Sequence, residues 1–127
     1  MKEGKITGLA HIGVMVKDMD VSLDFYKRLG FVLDKEEQMG SVRLAFLHAG
    51  SCIIELVAPN DGAERKAGVV DHIAVTVDDI AAAIENAIAK GIEIDASTVR
   101  TSQILGGLKN VFFQGPDGER LEFVEFL

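Results

Sequence analysis

Residues 9–31, LAHIGVMVKDMDVSLDFYKRLGF, and residues 70–92, VDHIAVTVDDIAAAIENAIAKGI, align without a gap at a constant offset of 61. The six identities pair His11 with His72, Ile12 with Ile73, Val14 with Val75, Val16 with Val77, Asp18 with Asp79 and Gly30 with Gly91. They fall on the positions that make a strand, start a helix and stop it, which marks an internal duplication. In each copy apolar residues alternate, at Ile12, Val14 and Val16 and at Ile73, Val75 and Val77, predicting half-buried strands over 10–16 and 71–77. The same alternation turns His11, Gly13 and Met15, and His72, Ala74 and Thr76, to the opposite face. Acidic pairs follow, Asp18 with Asp20 and Asp78 with Asp79, supplying oxygens and charge for a helix N-terminus. The stripes Met19, Leu23, Tyr26 and Ile80, Ile84, Ala87 have the spacing of a buried helix face. Gly30 and Gly91 stand where a left-handed C-cap is wanted.

Shorter strand-like runs follow each helix, at 31–34, 42–48 and 52–58 in the first half and at 92–95, 110–114 and 120–126 in the second. Turn residues separate them at Gly40, at His48-Ala49-Gly50-Ser51 and at Pro116-Asp117-Gly118. Each half reads β-α-β-β-β, so the expectation is an α+β fold of two tandem modules within a single domain, residues 1–127. Module one covers about 6–58 and module two about 70–127. The linker at 59–69 carries Pro59-Asn60-Asp61-Gly62 and the charged Glu64-Arg65-Lys66. Residues 97–109, with Gly106-Gly107 and several hydroxyls, read as an irregular exposed loop.

Composition excludes several classes of function. The 127 residues, 48% hydrophobic and 26% charged, suffice for one core burying roughly two-thirds of the unfolded chain's surface. Thirteen Lys and Arg against twenty Asp and Glu give a net charge of −7, which repels a phosphate backbone and an anionic membrane surface alike. Nucleic-acid and membrane partners are not expected. No apolar run approaches the ~20 residues that span a bilayer, and the opening MKEGKITG lacks the apolar stretch of a signal peptide. Cys52, the single cysteine, cannot form an internal disulfide. The expectation is a cytoplasmic protein whose partner is a small molecule.

The last strand of each half repeats as well. Cys52-Ile-Ile-Glu55-Leu-Val matches Glu119-Arg-Leu-Glu122-Phe-Val at an offset of 67, the six extra residues fitting a longer loop in the second copy. Glu55, between Ile54 and Leu56, and Glu122, between Leu121 and Phe123, are carboxylates inside apolar strands. That placement is unfavourable unless they are solvated, paired or bound to a metal. A lone strand histidine or glutamate is ordinarily a hydrogen-bonded or solvated residue. Here His11 then Glu55, and His72 then Glu122, are two copies of one half-site, and that recurrence turns the reading towards one shared divalent metal. Imidazole nitrogens with carboxylate oxygens suit Zn, Ni, Co, Mn or Fe(II). Four protein ligands leave up to two octahedral positions for water or substrate, which is a catalytic arrangement. His48 has no repeat partner and precedes a glycine turn, so it reads as a surface residue; Glu125 falls on the other strand face from Glu122.

The residues together resemble the vicinal oxygen chelate superfamily, which includes glyoxalase I and methylmalonyl-CoA epimerase. The likeness is carried by Leu-Ala-His11-Ile-Gly-Val, Asp24-Phe-Tyr-Lys-Arg-Leu-Gly-Phe31, Ile-Ile-Glu55-Leu, Val-Asp-His72-Ile-Ala-Val, and Gly-Pro-Asp-Gly118 followed by Arg-Leu-Glu122-Phe. It implies paired β-α-β-β-β modules curling into a cup-shaped mixed sheet with the helices outside. It implies metal ligands at His11, Glu55, His72 and Glu122, the same four that the repeat selects. A homodimer is expected, with the two half-sites meeting within one chain or across the dimer interface.

Two activities follow from the resemblance. Gly40-Ser-Val-Arg-Leu-Ala-Phe46 leading into Glu55 is similar to bacterial glyoxalase I, a lactoylglutathione lyase, although Met15 stands where that enzyme usually has an arginine for glutathione. Glu55-Leu-Val-Ala-Pro59 is similar to methylmalonyl-CoA epimerases, although Arg43 stands where they tend to place a second carboxylate. Both abstract a proton next to a carbonyl or thioester, with Glu122 or Glu55 as the base. Metal-free antibiotic-binding relatives lack the His and Glu set. A ring-cleaving Fe(II) dioxygenase would leave one glutamate idle and would find no further histidine well placed as acid or base. Arg43, Arg100 and Lys109 are the candidates to meet an anionic substrate.

Overall fold

In the computed structural model, which describes residues 3–4, 8–66, 68 and 70–127, helix α1 runs Met19–Leu29 and helix α2 runs Ile80–Ala89. Asp18 Oδ1 accepts the Val21 N–H at 3.2 Å and Asp79 Oδ1 the Ala82 N–H at 3.0 Å, so each helix opens on the carboxylate that its sequence carries. Gly30 ends α1 at φ 116°, in the left-handed region that a Cβ disfavours. The expected start of module one near residue 6, and linker residues 67 and 69, lie outside the described residues.

Strands β1 (Ile12–Met15), β2 (Val32–Met39), β3 (Val42–Ala49) and β4 (Cys52–Ala58) form a sheet of order β1-β4-β3-β2. Strands β5 (Ile73–Thr76), β6 (Arg100–Ser102), β7 (Leu108–Gln114) and β8 (Arg120–Phe126) form a second sheet of order β5-β8-β7-β6. In both, the first strand runs parallel to the last and the other neighbours are antiparallel. A parallel pair needs a crossover, and each helix lies in that crossover. The α+β architecture expected from the duplication holds.

Two strand positions differ from expectation. No strand occupies 92–95; Ile92 and Ile94 are buried there, and their alternation reflects packing rather than pairing. Asp95 then halts the extended run by accepting the Ser97 N–H at 3.0 Å and the Ser97 hydroxyl at 2.6 Å. The missing strand is β6, inside the segment expected to be irregular, flanked by short 3-10 turns at Ala96–Thr98 and Ile104–Gly106. In the other half, β2 continues to Met39, because an edge strand can leave Lys35, Glu36 and Glu37 in water.

The core fills the space between the helices and one face of each sheet. Leu23, Tyr26, Leu47, Ile54 and Leu56 belong to the same buried cluster as Ile84, Val111, Leu121 and Phe123. The two modules are also tied by polar contacts between α1 and the β7–β8 turn. The Lys17 N–H donates to Asp117 Oδ1 at 2.9 Å and the Ser22 hydroxyl to Asp117 Oδ2 at 3.3 Å. Tyr26, wholly buried, donates its hydroxyl to Glu119 Oε2 at 2.8 Å. Burial, followed by the neighbouring Glu119 carboxylate, pushes the Tyr26 phenol above its ordinary range, so it remains a donor.

Candidate metal centre

Strand register places the four expected ligands on the sheet faces turned away from the core. Glu55 lies opposite Phe46 on β3 and Gly13 on β1; Glu122 lies opposite Phe112 on β7 and Ala74 on β5. His11 Nε2 is 3.2 Å from Glu55 Oε1, and His72 Nε2 is 3.3 Å from Glu122 Oε1. Each imidazole stands edge-on to the phenylalanine beside its glutamate, His11 on Phe46 at 5.8 Å and His72 on Phe112 at 5.4 Å between ring centres. The repeated unit is therefore a histidine, a glutamate and an aromatic wall.

These pairs fit a metal. Two donors bound to one ion at about 2.1 Å stand about 3.0–3.4 Å apart at octahedral or tetrahedral angles, the separation found in both pairs. Within the described residues no three His, Cys, Asp or Glu side chains are grouped closely enough to hold one ion. Each module of the chain presents its own two-residue half-site, rather than a share of one closed set of four ligands.

The half-sites differ in their supports. His72 Nδ1 is 2.8 Å from Asp71 Oδ2, and Arg120 Nη1 donates to the same oxygen at 2.9 Å. The hydrogen bonds from His72 and then Arg120 hold the Asp71 carboxyl below the usual carboxylate range. An ionised carboxylate only accepts, so Nδ1 donates to Asp71, and Nε2, 3.3 Å from Glu122 Oε1, is the nitrogen left for a metal shared with that carboxylate. The Arg120 guanidinium lies 4.0 Å above the centre of the Phe112 ring, closing a loop of four side chains around His72. Glu122 is 8% exposed and its second oxygen accepts Asn110 Nδ2 at 2.8 Å. In module one the matching positions are Ala10 for Asp71 and, by register, Leu44 for Asn110 and Ile53 for Arg120, none of which can make these bonds. The Asp directly before His72 was a visible signal; Asn110 had none beyond its strand parity.

Other sequence candidates fall into place by strand face. Arg43 is on the core side of β3, paired with Asp20 and Glu36 at 3.2 Å each, so it cannot meet a ligand beside Glu55. Lys109, opposite Glu125, shares the helix-facing side of its sheet, where Glu125 Oε1 accepts the Ile80 N–H at 2.7 Å. Arg100, opposite Asn110, is on the Glu122 face. Met15 is 46% exposed on the Glu55 face. His48, set aside as a surface residue, shares that face too, two positions from Phe46 on β3. A cavity of about 550 Å³, within the range of small-molecule sites, is walled by β1, Lys66, Asp71, His72 and Arg120.

A family model described as Glyoxalase/Bleomycin resistance protein/Dioxygenase superfamily matches residues 8–123. The chain is 34% identical over 124 residues to the uncharacterized protein YwbC of Bacillus subtilis, covering 91% of this chain and 94% of that one. The crystal structure of SMU.1112c superposes with a TM-score of 0.81 at 28% identity, over 95% of this chain and 100% of that one. A glyoxalase I mutant from Zea mays superposes with a TM-score of 0.75 at 25% identity, over 90% of this chain but 43% of that one. With one family model spanning most of its length and a relative 34% identical over nine-tenths of both chains, the chain belongs to the glyoxalase/bleomycin resistance protein/dioxygenase superfamily, the vicinal oxygen chelate group.

Proposed function

We propose that the protein is a divalent-metal-dependent lyase or isomerase of the glyoxalase I type, lactoylglutathione lyase-like, which moves a proton at a carbon next to a carbonyl. The observation that carries this reading is the matched pair of contacts, His11 with Glu55 at 3.2 Å and His72 with Glu122 at 3.3 Å, one in each module. His11, Glu55, His72 and Glu122 would hold one Zn, Ni, Co or Mn ion. When bound, the ion supplies a Lewis acid for two adjacent substrate oxygens.

The proton work falls to the glutamates, and they are not equivalent. Glu122 has its second oxygen fixed by Asn110 and a side chain 10% exposed, whereas the Glu55 side chain is 20% exposed with Leu44 in the matching position. Glu55 is free to reach the substrate carbon, remove its proton and return it to the neighbouring carbon, while Glu122 keeps its place beside His72. Exposed apolar surface on the Glu55 face supports a homodimer in which the first-module face of one copy completes the second-module face of the other. Met39 is 64% exposed there and Met15 46%.

The test is direct. Protein loaded with each metal is assayed with the hemithioacetal of methylglyoxal and glutathione, while its mass in solution is measured with and without metal. Turnover by a metal-bound dimer is expected; inert protein with one bound metal per pair of half-sites would overturn the activity. Methylmalonyl-CoA supplied as a single epimer is the second substrate, since exposed Met15 offers no cation to a glutathione carboxylate.

A further inference from the structure

Strand β2 pairs with β3 as Val32 opposite His48 and Leu33 opposite Leu47, then resumes as Lys35 opposite Phe46. Asp34 is the extra residue of a β-bulge. Bulges re-aim side chains, and they recur beside active sites. This one brings Asp34 to His48: both carboxylate oxygens are 2.8 Å from His48 Nδ1. Across β3 and β4, His48 stands opposite Ile53, two residues before Glu55 and on the same face. Ile12 pairs with Ile54, and continuing that register back one residue sets His11 beside Ile53. His11, Ile53 and His48 thus form a row across three adjacent strands. Two strand spacings separate the outer pair, about 10 Å between backbones, and Ile53 between them is 39% exposed. The side chains of His48 and Asp34 are 42% and 46% exposed, so a ligand can reach them.

A carboxylate on Nδ1 makes that nitrogen the donor and leaves the Nε2 lone pair facing outward, the arrangement in which imidazole serves as a general base. Module two has no counterpart. By register the position matching His48 is Gln114, opposite Arg120, and an amide cannot carry a proton at neutral pH. The pair is therefore peculiar to one half of the duplicated site.

We propose that His48, held by Asp34, is a second proton carrier of the site, working beside Glu55. Isomerising an α-hydroxy carbonyl moves two protons, one between carbons and one between oxygens. Glu55 moves the carbon-bound proton. His48 Nε2 takes the proton of the substrate hydroxyl as its carbon becomes the carbonyl, then delivers it to the oxygen of the neighbouring carbon, which becomes the new hydroxyl. The electron pair of the broken C–H bond passes into the intervening double bond and returns to the neighbouring carbon when that carbon is protonated. Nothing is oxidised or reduced overall, and His48 ends as it began. This role presupposes the isomerase chemistry proposed above.

The test compares metal-loaded wild-type protein with His48→Gln, His48→Ala, Asp34→Asn and Asp34→Glu on the hemithioacetal of methylglyoxal and glutathione. His48→Gln is expected to lower kcat by about 100-fold while KM moves by less than about threefold. Added imidazole should restore part of the activity of His48→Ala. Asp34→Asn should lose about tenfold and Asp34→Glu recover most of it. The double variant His48→Gln with Asp34→Asn should be no slower than His48→Gln alone, as expected of two residues acting as a unit. An unchanged kcat in His48→Gln, or a loss explained entirely by lower metal content or melting temperature, would overturn the carrier and leave the isomerase reading intact. Wild-type protein inert towards the hemithioacetal would overturn both.

Discussion

Asp71→Asn weighs the two half-sites against each other. In the wild type, Asp71 Oδ2 is 2.8 Å from His72 Nδ1 and 2.9 Å from Arg120 Nη1, and Arg120 in turn covers the Phe112 ring that flanks His72. The charge on Asp71 makes the imidazole a stronger donor to a metal through Nε2, and the hydrogen bond fixes which nitrogen is free. The amide keeps an acceptor of the same shape but not the charge, and it weakens the hold on Arg120. Removing an outer partner of a metal-bound histidine typically costs 10–100-fold in affinity. The Asp71 side chain is 64% exposed, where solvent screens its charge, so the expected loss is at the low end, roughly tenfold. Ala10 occupies the repeat-related position before His11. Ala10→Asp should therefore strengthen binding, by roughly threefold, short of the full effect because Ile53 replaces Arg120. Competition for metal against a chromophoric chelator reads both variants, with Asp61→Asn as the control on an exposed ion pair elsewhere. Affinity unchanged in Asp71→Asn would refute the orienting role of Asp71, and equal losses in Asp71→Asn and Asp61→Asn would reduce it to bulk charge.

Glu55→Gln and Glu122→Gln should each lower kcat by at least about 100-fold; Glu55→Gln should do so with the smaller loss of bound metal, as read by elemental analysis. Tyr26→Phe leaves a Glu119 oxygen without its donor in a partly buried setting and should cost roughly 1–3 kcal/mol, measured by denaturant unfolding; stability within error of wild type would show that the contact between modules is idle. Hydrogen bonds hold the Asp61, Asp71, Glu64 and Asp95 carboxyls below their ordinary values of 3.8 for Asp and 4.5 for Glu. Groups depressed in the folded state stabilise it above the unfolded pKa and lose that contribution as pH falls through the folded one. The melting temperature should therefore decline from about pH 4.5 downward, and a flat profile there would contradict those contacts.

Much of this was legible because alternation in a strand is a statement about faces. Ile12, Val14 and Val16 fixed the side on which His11 stands, and Ile54 and Leu56 did the same for Glu55. Two short segments 61 and 67 residues apart then repeated the assignment. What escaped was whatever depends on a register break or on distance along the chain. Asp34 belongs to the site face through a bulge, and one extra residue in a polar edge strand leaves no mark on composition. His48 lacks a repeat partner, and only its parity with Phe46 sets it on the face of Glu55. Ile92 and Ile94 imitate a strand because burial under a helix end and burial in a sheet select the same residues. The hydrogen bond from Tyr26 to Glu119 joins residues 93 apart and follows from how the modules pack, which no local pattern encodes.

The divergence between the copies explains why a duplicated site would serve a proton-moving reaction. Two glutamates held equally tightly could share an ion, but neither would be free to leave it for carbon. In this chain, module two surrounds its pair with fixed partners, Asp71 and Arg120 on His72 and Asn110 on Glu122. Module one places Ala10, Ile53 and Leu44 at the matching positions, leaving Glu55 with the more open side chain, and carries His48 with Asp34 on the same sheet face. On the proposed reading, symmetry supplies the donor set and its loss supplies the moving parts. The supports that anchor one carboxylate are absent where the other must swing, and the extra acid–base pair stands on the side that moves.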